Sequence, residues 1–274
     1  MSKGKIITLS IIGFIIVLIT VLFSAVFRLK KQTIVASADV TYSSEEIVKA
    51  AELKRGQSIF LIDKEKAINK IEAKFADIKV VQIKTTSLTE IEIKVRKRYP
   101  TLYIKNLGSY YVLDQDLKVL NVVADSEDIS SIENLVKITT KPQNLNVETK
   151  VADFLGSENE QNMSYNLFSA VYSTKIPTTI TGKEAYTEFC NLIEEISFAK
   201  GYTANGQVYD RLIVKTKQGM SFDIGKATND LTRKINLCFT AMESEEIADK
   251  TIGTITISYD QTGKEIKTYS DGID

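Results

Sequence analysis

The sequence predicts an α+β protein: a single transmembrane helix, then a β-α-α-β-β unit, then a mixed, mostly antiparallel β unit with flanking helices. Three observations carry this. Ile6–Phe27 is a run without one charged residue. Ser43 and Glu46 make a capping-box pair ahead of an apolar helical face. Glu90-Ile91-Glu92-Ile93-Lys94-Val95-Arg96 alternates charged and apolar side chains without a fault, the pattern of a strand with one wet face.

At about 1.5 Å rise per residue, a helix over Ile6–Phe27 spans roughly 33 Å, close to the hydrocarbon thickness of a bilayer. A cleaved secretory signal has an apolar stretch of about 7–15 residues ending in small side chains. This run is longer, and Ser24-Ala25-Val26 makes a poor cleavage site, so an uncleaved anchor with a tail of residues 1–5 is expected. Lys3 and Lys5 on one side nearly balance Arg28, Lys30 and Lys31 on the other, which leaves the orientation open.

After a short linker at Arg28–Thr33, residues 34–100 read as strand, helix, helix, strand, strand. Ile34–Val40 is β-prone. Ile47, Ala50, Ala51 and Leu53 form the apolar face of the first helix, which Gly56 is suited to end in the left-handed conformation. Asp63 caps a second helix with Ala67, Ile68, Ile71 and Phe75 on one face. Ile78–Ile83 and Glu90–Arg96 are strands, and Pro100, which has no N–H for a ladder, closes the unit.

Residues 101–262 read as mostly β. Thr101–Lys105, Ser109–Leu113 and Lys118–Val123 form a meander with turns at Asn106-Leu107-Gly108 and Asp114-Gln115-Asp116. Thr140–Gly182 is polar and poorly periodic, as a long loop or insertion with short elements would be. Glu184–Phe198 reads as one amphipathic helix carrying Ala185, Phe189, Leu192, Ile193 and Ile196. Strands follow at Arg211–Thr216 and Ser221–Ile224, then a helix at Thr228–Met242 and a strand at Ile252–Tyr259. Residues 263–274 are expected as a tail, partly extended and then frayed.

Composition narrows the function. Of 274 residues 43% are hydrophobic and 26% charged, which permits a sizeable core. Basic and acidic side chains both number 35, so net charge argues against a generic nucleic-acid binder. No histidine is present, which excludes His-dependent triads, dyads and metal sites. The two cysteines, Cys190 and Cys238, cannot form a Cys₄ zinc site. Burial as small core residues, as the helical register of Cys238 with Leu231, Ile235 and Met242 implies, and pairing in a disulfide are the two alternatives.

Ser197-Phe-Ala-Lys200 matches the Ser-x-x-Lys element of penicillin-recognising enzymes, but the Ser-x-Asn and Lys-Thr-Gly elements that such enzymes also need have no counterpart. The glycines are scattered and form no phosphate loop, and no cofactor or small-molecule substrate is expected. Charge divides along the chain: residues 34–100 carry 13 basic and 10 acidic side chains, residues 101–274 carry 17 and 25. The basic run Arg96-Lys97-Arg98 is either a solvated strand end or a contact for anionic lipid or an acidic partner. The strand Ile252–Tyr259 and its continuation toward Tyr269 are expected at a sheet edge. Thr254, Thr256 and Ser258 would then face a docked partner beside Tyr259, with Ile255 and Ile257 in the core; an interior strand is the alternative.

Val40-Thr-Tyr-Ser-Ser-Glu-Glu-Ile47, Gly56-Gln-Ser-Ile-Phe-Leu-Ile-Asp63 and Ile91, Ile93, Val95 with Arg98-Tyr99-Pro100 resemble a POTRA domain. Behind an N-terminal apolar run, the set resembles the cell-division family FtsQ, called DivIB in Gram-positive bacteria. Asp210-Arg-Leu-Ile-Val-Lys-Thr216, Gly219-Met-Ser-Phe-Asp-Ile-Gly225, Leu231-Thr-Arg-Lys-Ile235 and Gly253-Thr-Ile-Thr-Ile257 follow the order of that family's β domain. Ser87-Leu88 stands where the family usually has proline, Lys97-Arg98-Tyr99-Pro100 replaces Glu-Arg-x-Pro, and Leu117 replaces a turn glycine.

The resemblance implies a non-enzymatic, type II single-pass protein of the cell membrane, with its N-terminus cytoplasmic, its body outside and its place at the division septum. Such a protein docks FtsL-like and DivIC/FtsB-like membrane proteins, with a septal wall synthase as a further partner, and helps control septal peptidoglycan synthesis. It also implies partner binding at the C-terminal end of the β domain. The competing reading is a POTRA-bearing docking component of polypeptide transport.

Overall fold

The computed structural model describes residues 11–17, 21, 26–127, 129–202, 206–227, 230–247, 249–259 and 265–271. Among these residues no helix is long and apolar enough to cross a membrane. The expected span Ile6–Phe27 lies largely outside them. Residues 11–17 are helical, and their large apolar side chains stand exposed. The chain divides into two compact units, Met1–Arg98 and Tyr99–Asp274.

In the first unit, strand β1 (Lys31–Ala36) leads to helix α1 (Ser44–Ala51), a 3₁₀ turn at Ile59–Leu61, helix α2 (Lys64–Lys74), and strands β2 (Ile78–Ser87) and β3 (Glu90–Lys97). The sheet order is β1-β3-β2, with β3 parallel to β1 and antiparallel to β2. The capping box forms as expected: the Glu46 N–H donates to the Ser43 hydroxyl, and the Ser43 N–H donates to the Glu46 carboxylate. Such a cap stabilises a helix by about 1 kcal/mol. Asp63 caps α2 through the Lys66 N–H at 2.9 Å. Ile91, Ile93 and Val95 turn inward and meet Ile47, Ala51, Ala67 and Ile71 in one core.

Two local expectations are corrected here. Glu52, not Gly56, takes the left-handed position that ends α1 (φ 52°). The segment Arg28–Thr33 is not a linker: Leu29 is buried in the core, its N–H donating to Gln57 and its C=O accepting from Gly56, and β1 starts at Lys31 rather than Ile34.

The second unit holds a nine-stranded mixed sheet. Its strands are β4 (Leu102–Asn106), β5 (Ser109–Leu113), β6 (Val119–Ala124), β7 (Val136–Ile138), β8 (Ile193–Tyr202), β9 (Val208–Thr216), β10 (Met220–Lys226), β11 (Gly253–Tyr259) and β12 (Glu265–Ser270). The spatial order is β12-β11-β10-β9-β8-β7-β4-β5-β6. Most joins are antiparallel; β10/β11, β7/β8 and β4/β7 are parallel. Helices α3 (Glu158–Lys175), α4 (Lys183–Leu192) and α5 (Leu231–Met242) contribute to the same core.

Thr140–Gly182, expected as a long loop or an insertion with short elements, contains the longest described helix. Ser157 and Glu160 make a second capping box at its start. Its core residues Met163, Leu167, Ala170 and Val171 fall at i, i+4, i+7 and i+8. The polar stretch Glu158–Asn162 ahead of them, and Ser164, Asn166 and Ser169 among them, dilute the signal.

The helix expected over Glu184–Phe198 stops at Leu192, and Ile193 begins β8. The ladder of β8 with β9 shifts register between Ile193 and Glu195, so a bulge separates the inward residues Ile193 and Ile196 by three positions. That spacing imitates a helical face. The stretch expected as a tail supplies β12, which pairs with β11 over six residues. Cys190 and Cys238 are both buried and form no disulfide. Burial pushes the Cys190 thiol up to about 11, which makes it a poor nucleophile.

Candidate functional site: the edge of the distal sheet

The nine-stranded sheet ends at β12. Strand β11, the expected edge, is interior: β10 lies parallel on one side of it and β12 antiparallel on the other. This corrects the expectation for Thr254 and Thr256, which are paired on both sides; Ser258 pairs with Ile266 of β12, and the described β10 ladder ends at Thr256. Their side-chain alternation is as expected, with Thr254 and Thr256 half-buried, Ser258 exposed, and Ile255 and Ile257 in the core.

Register then assigns the faces of β12. Directly opposed residues of an antiparallel pair share a face. Ile266, Thr268 and Ser270 oppose Ser258, Thr256 and Thr254, while Lys267 and Tyr269 oppose Ile257 and Ile255. The three hydroxyl residues singled out in β11 therefore extend one face of the edge strand. Tyr259 ends β11 opposite Glu265; its side chain lies outside the described residues.

β12 is anchored at its C-terminal end. The Tyr269 hydroxyl donates to the Ile252 carbonyl at 2.9 Å. Gly253 has φ +154°, and a Cβ there would come within 2.4 Å of the Tyr269 ring. The absent side chain thus lets the tyrosine lie flat across the strand. The β11/β12 ladder shows no register shift, whereas the ladders of β2 with β3 and of β5 with β6 do. Bulges blunt a sheet edge. β12 instead presents a regular edge whose composition, Ile-Lys-Thr-Tyr, is rich in β-branched and aromatic residues.

The basic run has a different fate. Arg96 and Lys97 are half-buried on β3, the central strand of the first unit. Arg98 is 3% exposed and is no surface contact. Its Nη2 donates to Glu72 Oε2 at 2.7 Å and its Nε to the Ile78 carbonyl at 3.0 Å. Glu72 Oε1 accepts from the Val80 N–H at 2.8 Å. The pair ties α2 to β2 and to the end of β3. Glu72 was detectable in sequence, because it falls one turn beyond Ile68 on the apolar stripe of α2.

Ser197 and Lys200 both lie on β8, in unbroken register with β9. At an odd separation their side chains point to opposite faces of the sheet. Lys200 is moreover paired with Asp210, which raises its pKa. The two cannot act as nucleophile and base.

Residues 29–98 match the family described as "POTRA domain, FtsQ-type". No curated protein matches the chain. Among solved structures, POTRA domains 3–5 of BamA from Haemophilus influenzae align at 10% identity over 88% of this chain and 94% of that one, with a TM-score of 0.21. The family match makes residues 29–98 an FtsQ-type POTRA domain, a protein-interaction module.

Proposed function

We propose that this FtsQ/DivIB-type chain is a bitopic division scaffold that captures an extended segment of a small FtsL-like or DivIC/FtsB-like membrane protein along β12. The observation that carries the reading is the regular six-residue edge in a chain that also carries an FtsQ-type POTRA domain. The outward N–H and C=O groups of an edge strand are donors and acceptors for an added strand. Each hydrogen bond so made is worth about 1 kcal/mol net.

In this reading Ile6–Phe27 is the anchor, the N-terminus is cytoplasmic, the body lies outside, and the protein sits at the septum, where partner capture regulates peptidoglycan synthesis. The exposed apolar side chains of residues 11–17 support the anchor, since a helix apolar all round needs an apolar surrounding.

Proline substitutions test the edge. Alternate residues of β12 point their N–H outward, so one of Lys267→Pro and Thr268→Pro removes an outward donor and the other breaks the ladder to β11. The variant of the outward position keeps its circular dichroism and loses capture of a DivIC-type ectodomain. If both variants stay folded and bind as the parent does, edge docking is wrong.

A further inference from the structure

A second surface lies where the chain enters the POTRA domain. The last residue of the apolar run and the residues just past it are clamped by two loops. The carbonyl of Phe27 accepts from the Ile59 N–H at 2.9 Å, Arg28 bridges Ser58, and the Phe27 and Phe60 rings lie 5.0 Å apart. The Thr89 carbonyl accepts from the N–H groups of Lys30, at 2.8 Å, and Lys31. The 3₁₀ turn Ile59–Leu61 and the β2–β3 turn are therefore both fixed beside residues 27–31.

The tips of these loops are apolar and exposed. Phe60 is 66% exposed, Leu61 84% and Leu88 57%. Single exposed apolar side chains are ordinary, but three on the two loops that grip the entry point make a patch. Around it stand the exposed cations Arg28, Lys30, Lys54 and Arg55; of the carboxylates nearby, Glu90 is matched by Lys31 at 3.9 Å, Glu52 is paired with Lys70, and Asp63 caps α2. Apolar tips within a basic collar is the arrangement by which peripheral surfaces enter the boundary between lipid headgroups and acyl chains.

We propose that this pole is a membrane-interface wedge: Phe60, Leu61 and Leu88 insert into the lipid surface, and the collar contacts anionic headgroups. The occupant is lipid because the patch is continuous with Phe27, the last residue of the apolar run. The proposal rests on the reading of that run as the anchor. The wedge holds the POTRA domain down on the bilayer instead of leaving it tethered by one flexible strand.

The protein has no tryptophan, so one introduced tryptophan is a clean reporter. Leu61→Trp, Leu88→Trp, Phe14→Trp and Ala38→Trp, the last in the exposed turn after β1, are each made in the full chain. Each is reconstituted in vesicles of phosphatidylcholine and phosphatidylglycerol. Emission shifted to the blue, quenching by brominated lipid and protection from iodide are expected at Leu61 and Leu88 as at Phe14, and none of these at Ala38.

Quenching by lipid at Phe14 with iodide access at Leu61 and Leu88 overturns the wedge and leaves the anchor standing. Absence of lipid quenching at Phe14 overturns the anchor, and the wedge with it. Protection from iodide without lipid quenching at Leu61 and Leu88 means a protein surface covers the pole, and also overturns the proposal.

Discussion

The two units solve the same problem, covering one face of a β-sheet, with different materials. The POTRA unit has three strands, two short helices and a buried Arg98–Glu72 pair where its helix, β2 and the end of β3 meet. The distal unit has nine strands and a larger apolar core. A small unit has less apolar area to bury, so a polar clamp that fixes one arrangement of helix on sheet carries more weight there. The edges differ as well. β2 shifts register twice along β3, whereas β12 runs along β11 without a shift. The first unit blunts that edge, and the second keeps one edge regular.

The largest test of this contrast is Ile93→Asp. Ile93 is fully buried in the POTRA core, and an unpaired carboxylate there costs more than about 4 kcal/mol. Calorimetry of the full chain in detergent should lose the POTRA transition and keep the distal one. Loss of both would show that the units do not fold independently.

Glu72→Gln comes next. It leaves the Arg98 guanidinium buried without its counter-charge, at a cost of about 3–5 kcal/mol. The double variant Glu72→Leu with Arg98→Met should recover most of that loss, since apolar groups can replace both ions together. Chemical denaturation followed by near-ultraviolet dichroism reads both. A single variant as stable as the parent would remove the pair from the comparison.

Gly253→Ala acts on the distal unit alone. An added Cβ meets the Tyr269 ring at 2.4 Å and the Ser270 carbonyl oxygen at 2.8 Å, on a φ of +154°. Strain of about 1–3 kcal/mol should loosen β12 from β11. Faster amide exchange at residues 265–270 and weaker partner capture are expected, with POTRA exchange unchanged.

The smallest effect concerns pH. Lys200 holds the Asp210 carboxyl below the usual carboxylate range, with help from the Asn159 amide at 2.8 Å. A carboxyl whose folded pKa is depressed stabilises the fold above its unfolded pKa, and that stability is lost as pH falls through the folded value. Lys200 is largely exposed and Asp210 half-buried, so solvent screens the pair and the effect is a few tenths of a kcal/mol. Asp210→Asn should flatten the acid limb of the distal transition and leave the POTRA limb alone. An acid limb unchanged by the substitution would assign that slope to other groups.

Helix caps and strand alternation were legible in the first unit. The capping box at Ser43, the Asp63 cap and the alternation from Glu90 to Arg96 each depend on neighbours in sequence, and each recurs in the structure. The errors arose where a pattern had two physical sources. A bulge at Ile193 produced three-residue spacing that read as helix, and polar residues between the core positions of α3 hid its period. Arg98 read as surface charge because arginine usually is one; its partner Glu72 lies 26 residues away.

What the sequence determined by itself was the inventory: two successive α/β units, an apolar run ahead of them, Ile255 and Ile257 inward and Thr254, Thr256 and Ser258 outward. Period, caps and turn residues are short-range and need no knowledge of the partner strand. Which strand stands at the edge was decided only in three dimensions. Edge status is the absence of a neighbour, and a strand's own residues do not encode what fails to pair with it. β11 acquired a partner from residues 265–270, whose Ile, Thr and Tyr suit a strand but do not say which strand they pair with.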